Sequence, residues 1–436
     1  MRLTLVALAL TALTACAPPA QVSKNDPRPG IGFGTASALS SGGPAPGGSS
    51  VTRDFMDLTF ALESGQSLEI FTRFEGPITV ALAGDVPASA PRDLDALVAR
   101  LQSEAGLDIA RTGGPATITV EFASRSDLRR LAPQAACFVV PNVGSLADYR
   151  RMRGSEAVDW ARITRRDRAA IFIPADTSPQ EIRDCLHEEL AQALGPLNDL
   201  YRLSDSVFND DNFHSVLTSH DMAILRMTYG PTLASGMSRD EVARRIGGSP
   251  RIGRDTPADW TQAIETALGR TGPLTARQAA ADRALSIALA AGWQDSRAAF
   301  SHFAVGRLVA GSDPIRAFDA FDRAAAIYAR LPGGDLQVAH VDMQRAAMAL
   351  AGGLAEEAAR LADRAIPVVR RHENAALLAT LMLIKAEALD QLGDTAGAAA
   401  LRMDSQPWAR YGFGPDSVVK ARMRDIAAVA DRASQG

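Results

Sequence analysis

Lysine is almost missing from this chain. It occurs at positions 24, 385 and 420 and nowhere else, so arginine carries nearly all of the positive charge. With 46 basic against 50 acidic residues the net charge is -4, and no basic cluster of the kind that tracks a phosphate backbone stands out. Nucleic acid is therefore not an expected partner. The sequence also lacks a glycine loop that could cradle phosphates and a G-x-S-x-G nucleophile elbow, and no cofactor is expected. No apolar run reaches the length of a membrane-spanning helix. Only three cysteines are present, at 16, 137 and 185.

What is present begins with MRLTLVALALTALTAC, which has one cation at Arg2, an apolar run, and small residues before Cys16. That is the make-up of an export signal. Leu13-Thr14-Ala15-Cys16 also resembles the lipobox of bacterial lipoproteins. The resemblance implies cleavage before Cys16 and acyl chains on its thiol. The expected location is the periplasmic side of the cell envelope, anchored in the inner or the outer membrane. With Cys16 assigned to lipid, Cys137 and Cys185 remain in an oxidising compartment; they form either one disulfide, the simpler expectation, or two buried thiols.

Residues 17–51 are rich in Ala, Pro, Gly and Ser and read as a disordered tether. From 52 to 248 strands and helices alternate. EIFTRFEGPITVALAG (69–84) reads as strand structure turning at Gly76-Pro77, DLDALVARLQSEAG (93–106) as helix, and ATITVEF (116–122), CFVVP (137–141) and RAAIFIPA (168–175) as strands. A helix follows, with Ser178 as N-cap, Pro179 at its first position and Glu181 completing a capping box; Gly195, in a left-handed cap, and Pro196 should end it. Further helices are expected at 218–228 and around 238–246. From 256 to 436 the chain is Ala-, Leu- and Arg-rich helix. Turn sites near Gly311, Gly353 and Gly393 lie 42 and 40 residues apart, which resembles a tetratricopeptide-type array. A plain helical bundle is the other architecture compatible with such helices. Trp260, Trp293 and Trp408 are expected to be packing residues or groove contacts.

The helix from Ser178 contains HEELAQALGPLND (187–199). His187-Glu188 looks like the start of a zinc-peptidase motif, yet the second ligand position, i+4, is Ala191. Anchored instead on Leu194-Gly195 and Asp199, the stretch resembles the metzincin signature H-E-x-x-H-x-x-G-x-x-H. Glu188, Gln192 and Asn198 then stand at the three ligand positions and Glu189 at that of the general base. Ser206-Val207-Phe208 stands at the Met-turn, and LTSHDMAILRMTYG looks like the closing helix of the matrix-type members. The fold implied is an α+β metzincin-like domain followed by an all-α tetratricopeptide-like domain. The pattern E-E-x-x-Q-x-L-G-x-x-N-D followed by S-[IV]-F-N-D is similar to that of an uncharacterised proteobacterial lipoprotein domain family, a domain of unknown function.

Gln and Asn are poor zinc ligands, so no metal is expected at these positions. At about 100° per residue, Ile182, Cys185, Leu186, Leu190, Ala193 and Leu194 form an apolar stripe with Glu189 in its middle. His187 falls opposite, on a polar face with Arg183, Asp184 and Ala191. Glu189 is then either a catalytic-type acid in a cleft or, as favoured, a structural anchor for the Ser206–Asp210 turn. The function expected is binding or scaffolding, with a peptide or protein as partner on the helical part. The alternative is a hydrolase with Glu189 as base and a metal held by Glu188 with His214 or His220. NDDNF (209–213) reads as an Asn/Asp turn rather than a calcium loop, since it lacks the Gly and distal Glu of an EF-hand.

Overall fold

The computed structural model describes residues 48–133, 135–251, 256–269 and 271–431. The expected export signal, Cys16 and the expected tether up to residue 47 fall outside the described residues. Two compact units are present. One is mixed α/β and is built from the chain up to Leu200 and from Ser206 to Gly253; the other is all-helical and comprises the chain from Arg254 onward together with Tyr201–Asp205.

The α/β unit opens with a helix, α1 (Gly48–Thr59), where the expected tether still ran to residue 51. Val51, Phe55 and Leu58 recur at helical spacing and are all buried, so this stretch has an apolar face to pack. β1 (Ile78–Gly84), β2 (Ile109–Arg111), β3 (Ile118–Ala123), β4 (Phe138–Pro141) and β5 (Ala169–Pro174) form one sheet in the order β2-β1-β3-β5-β4. β4, at the edge, is antiparallel to β5, while the other pairings are parallel. β5 is buried along its whole length, which explains its continuous apolar run AAIFIP. Residues 69–75, expected as a strand arm, lie outside the sheet. Phe71 donates to Met237 O and accepts from Gly236 N, so this segment pairs with a distant loop and regular pairing starts after Pro77.

The helices of this unit are α2 (Ala90–Ala105), α3 (Arg125–Arg129), α4 (Leu146–Met152), α5 (Pro179–Leu194), α6 (Ser219–Thr228) and α7 (Arg239–Ile246). α5 packs on α2, β4 and β5. Cys137, just ahead of β4, is bonded to Cys185 on α5, with their Cα atoms 6.0 Å apart. The disulfide reading of the two thiols therefore holds, and it ties the edge strand to the helix.

The helical unit runs through α8 (Ala258–Leu268), α9 (Leu274–Ala290), α10 (Ser296–Val309), α11 (Pro314–Tyr328), α12 (Asp335–Ala351), α13 (Ala355–Arg371), α14 (Ala375–Gln391), α15 (Thr395–Phe413) and α16 (Asp416–Ala430). The three turn sites fall between α10 and α11, α12 and α13, and α14 and α15, and the members of each pair pack on one another. Gly353 and Gly393 adopt φ of 74° and 87°, the left-handed conformation that lets the chain reverse after a helix. Asp313 and Asp394 then cap the helices that follow, accepting from Arg316 N and Gly397 N. Trp260 is fully buried and donates its indole N–H to Ser301 Oγ at 2.9 Å. Trp293 is half-buried beside it, beneath the Arg297 guanidinium at 3.9 Å, and Trp408 lies under Arg370. All three are thus packing residues in this unit.

Candidate functional site

At its N-terminus α5 has the expected Ser178 cap and Pro179, but the Glu181 side chain does not close the expected capping box. Ser178 accepts from Glu181 N at 3.2 Å and Pro179 occupies the first turn. The carboxylate of Glu181 accepts from the Thr177 hydroxyl and from Arg125 Nη2. The C-terminus differs from expectation. Gly195 has φ -171°, extended rather than left-handed, and the glycine is needed because a Cβ there would come within 2.8 Å of the Thr228 methyl on α6. The end of the helix is capped instead by a buried cation. Arg166 donates Nη1 to Gln192 O and Ala193 O at 2.6 and 2.7 Å and Nη2 to Gly195 O at 2.5 Å. Its Nε reaches Thr72 Oγ1, and its plane lies over Trp160. Burial pulls its pKa down to about 10, which leaves it charged at neutral pH.

The helix is covered on both sides, which corrects the reading of His187 as solvent-facing. His187 is 4% exposed, and Arg183 and Ala191 of the expected polar face are buried with it. The loop after α5 folds over that face: Leu217 N donates to His187 Nδ1 at 3.1 Å, which leaves the ring proton on Nε2. Burial, with Arg100 and Arg183 nearby, holds this imidazole neutral far below the usual histidine range. A helical wheel locates one apolar face and is silent on whether a loop covers the other.

The other predicted site residues separate into two groups. His214 and His220 are both buried, and His220 Nε2 lies 3.4 Å from Asp54 Oδ2 on α1. In the 209–213 turn Asp211 N donates to Asn209 Oδ1, Phe213 N donates to Asp211 Oδ1, and Asn212 takes a left-handed φ of 58°. The expected Met-turn, Ser206–Phe208, is organised by Asp221 rather than by Glu189. Asp221 accepts from Ser206 Oγ at 2.5 Å, Val207 N at 3.1 Å and Thr218 N at 2.8 Å, and completes a capping box with Thr218. The spacing Thr218-x-x-Asp221 signals that cap, but nothing in it announces the tie to residues 206 and 207.

The second group is a cluster of carboxyls. Glu188 and Glu189 from α5, Asp199 and Asp210 from the loop beyond it, and Glu63 from the turn after α1 bear on one another. Glu63 and Asp210 are exposed, Glu188 and Asp199 are half-buried, and Glu189 is 4% exposed. Gln192 Nε2 donates to Glu63 Oε1 at 3.2 Å, and Asn198 Nδ2 donates to Asp57 O at 2.9 Å, pinning the loop to α1. Glu189 Oε2 and Asp199 Oδ1 have no hydrogen-bond partner among the described residues. Desolvation, then Glu63 and the neighbouring acids, pushes the Glu188 carboxyl up to about 8, and Glu189 and Asp199 are raised by the same causes. Glu63 was not foreseen from sequence, because its turn carries no motif.

A pH dependence follows. Carboxyls whose folded pKa lies above the unfolded value favour folding fully below the unfolded pKa, near 4.5, and that contribution is lost as pH rises through about 8. Heating the protein at pH 5 and at pH 8.5 should give a lower melting temperature for the α/β unit at the higher pH, by the equivalent of about 2 kcal/mol. That figure discounts the full shift because the acids share it and Glu188 keeps some surface. Glu188→Gln should flatten the difference; an unchanged slope in that variant would refute the assignment. Asp335 in the helical unit, held at about 2 beside His372 and Arg371 despite partial burial, titrates below this window.

Among the described residues no three His, Cys, Asp or Glu side chains are arranged to hold a metal ion, and no helix is long and apolar enough to cross a membrane. No curated protein and no solved structure matches the chain. Residues 49–247, which include α1, the sheet, α5 and the carboxyl cluster, match the family described as a protein of unknown function (DUF2927), so a DUF2927 domain makes up this part of the chain.

Proposed function

We propose that the protein is a lipid-anchored binding or scaffolding protein of the cell envelope. In this reading the α/β unit is a metzincin-like fold without zinc ligands, and the helical unit is a tetratricopeptide-like array. The observation that carries it is the state of the three positions where such a peptidase has histidines. Asn198 is committed to the Asp57 carbonyl and Gln192 to Glu63, while Glu188 sits among other carboxyls. Two neutral amides and one acid do not make a catalytic zinc site. The order of a long helix and several strands ahead of α5 supports the fold assignment, as do the paired helices with turns at Gly311, Gly353 and Gly393 for the array. Such an array offers a concave surface for a peptide or protein, and β4 offers an edge strand beside α5. The disulfide agrees with an oxidising compartment.

Two measurements test this. Elemental mass spectrometry of the purified full chain should find no stoichiometric zinc; zinc bound one to one, and lost from Glu188→Gln or Glu189→Gln, would establish the hydrolase instead. Cells fed labelled palmitate should label the wild-type protein and not Cys16→Ala, and persisting label in that variant would remove the anchor from the account.

A further inference from the structure

The arginines of the α/β unit are unevenly placed. Residues 125–168 hold ten of them against five acids, with no lysine or histidine, in a chain whose net charge is -4. Along the sequence they stand in ones, twos and threes with other residues between, so no basic run shows. Folding gathers six of them. Leu128 of α3 and Leu146 of α4 are buried in a small core with Val140 and Phe172 of the sheet, against which Tyr149 and Met152 also pack. With the apolar side of both helices turned to the sheet, their charged side faces water. Arg129 and Arg130 at the end of α3, Arg150 and Arg151 on α4, Arg153 just beyond it and Arg168 ahead of β5 are all exposed.

Contacts tie these residues into one patch. Arg130 Nη1 and Arg150 Nη2 lie 3.3 and 3.5 Å from the same oxygen, Asp127 Oδ1, and Arg153 Nη2 donates to Leu131 O at 3.0 Å. Arg151 pairs with Asp148. A Cβ built on Gly144 would lie 3.6 Å from both Arg168 Cδ and Asp148 Oδ2, which puts Arg168 beside that pair. Glu121, half-buried beneath α4, is turned to Leu146 N at 2.7 Å. Arg129 and Arg168 make no ion pair among the described residues. Two aspartates thus serve six guanidiniums, and Asp127 holds each of its partners at a longer distance than the 2.7–2.9 Å or so of a tight charge-assisted bond.

Resting on the lipid-anchored reading of the protein, we infer that this arginine patch on α3, α4 and the approach to β5 is a docking surface for the headgroups of an anionic phospholipid bilayer. A guanidinium fork binds the phosphate oxygens of such a headgroup through two N–H groups at once. Gly48, where α1 starts, stands 32 positions after Cys16, so attachment at Cys16 keeps this unit within at most about 110 Å of the lipid. Within that reach a weak ionic contact is favoured by the high effective concentration of the surface. An acyl anchor and a polybasic patch are complementary signals, one fixing the chain to the bilayer and the other orienting it. The rest of the chain is net acidic and is repelled by such a surface, so the patch decides which face of the α/β unit turns to the membrane. Nucleic acid presents phosphates too; the anchor favours lipid.

Hydrogen exchange tests this on the full chain, purified from membranes and placed on vesicles of phosphatidylcholine alone or with phosphatidylglycerol added. Amides of α3, α4 and residues 153–165 should exchange at least threefold more slowly on the anionic vesicles. The difference should vanish in 1 M salt, where charges are screened beyond about 3 Å. Arg130→Gln, Arg150→Gln and Arg153→Gln together should abolish it while melting as the wild type does, and the three corresponding lysine substitutions, which keep the charge, should retain most of it. Arg323→Gln, Arg360→Gln and Arg424→Gln together, the same change of net charge placed in the helical unit, should leave it intact. Equal exchange on both vesicles, protection that survives high salt, or protection indifferent to the patch substitutions overturns the inference. So does protection of the same amides by a poly-dT strand and not by vesicles, which would give the patch to nucleic acid. Flotation reads the anchor separately. Wild type that fails to float with phosphatidylcholine vesicles defeats the lipid-anchored reading, and flotation with the anionic vesicles, lost in the glutamine triple variant, then still decides the patch.

Discussion

Replacing Arg166 by methionine should destabilise the α/β unit by about 3–5 kcal/mol, among the largest effects of any single substitution outside the hydrophobic core. The last carbonyls of a helix have no partner within it, and they carry the negative end of the helix dipole. In α5 three of these groups, on Gln192, Ala193 and Gly195, accept from one guanidinium that is itself 3% exposed. Methionine fills much of the space over Trp160 but donates nothing, so three buried carbonyls and Thr72 Oγ1 lose a charge-assisted donor together. Water cannot substitute readily at so closed a place. Lysine keeps the charge but cannot span the acceptors as a planar fork does, and Arg166→Lys should fall between the two. The check is chemical denaturation of the three proteins followed by hydrogen exchange. Amides near the end of α5 and in the loop carrying Asn198 and Asp199 should lose most protection. A methionine variant within 1 kcal/mol of wild type would mean that the helix end is satisfied by other groups.

Arg166 also marks where the sequence stops being informative. Local signals placed much of the fold: Ser178-Pro179 at the start of α5, the apolar runs of β3 and β5, the Thr218 cap, and the glycine turns between the long helices. Each depends on residues within a few positions of one another. The carbonyl cage of Arg166 depends on residues 26 to 29 positions away, and nothing near TRRDR distinguishes it from the arginines beside it. The same holds for Asp221 on the 206–207 turn and for Glu63 against Gln192, 129 positions apart. Glu189 could be placed on the buried stripe because helical periodicity is local, while its neighbours Asp199 and Glu63 could not, because the chain returns to it through loops. His187 went wrong for the related reason that a wheel treats a helix as having one partner. α1 is the instructive miss. Val51, Phe55 and Leu58 spell its apolar face, but the Gly/Ser-rich stretch immediately before them extends the tether composition up to the helix itself.

Removing the Cys137–Cys185 bond should cost the α/β unit about 4 kcal/mol. The bond closes a loop across 48 positions of sequence, and the loss of unfolded-chain freedom for a loop of that size amounts to roughly 4 kcal/mol in the chain-entropy account. The native side of the balance also depends on it. β4 is the edge strand, four residues long and paired on one side with β5, and this bridge at its start ties it covalently to α5. Both sulfurs are buried, so Cys137→Ala with Cys185→Ala leaves small apolar groups in place of a crosslink and exposes little that is polar. The double variant should melt about 8–16 °C below wild type in the transition of a unit of this size. A reducing agent should lower the wild type by a similar amount and leave the variant unmoved. Equal melting of wild type with and without reductant would show that the bridge does not constrain the unfolded chain. The effect is one of redox state: the same chain made in a reducing cytosol, where the bond does not persist, should behave as the double variant does.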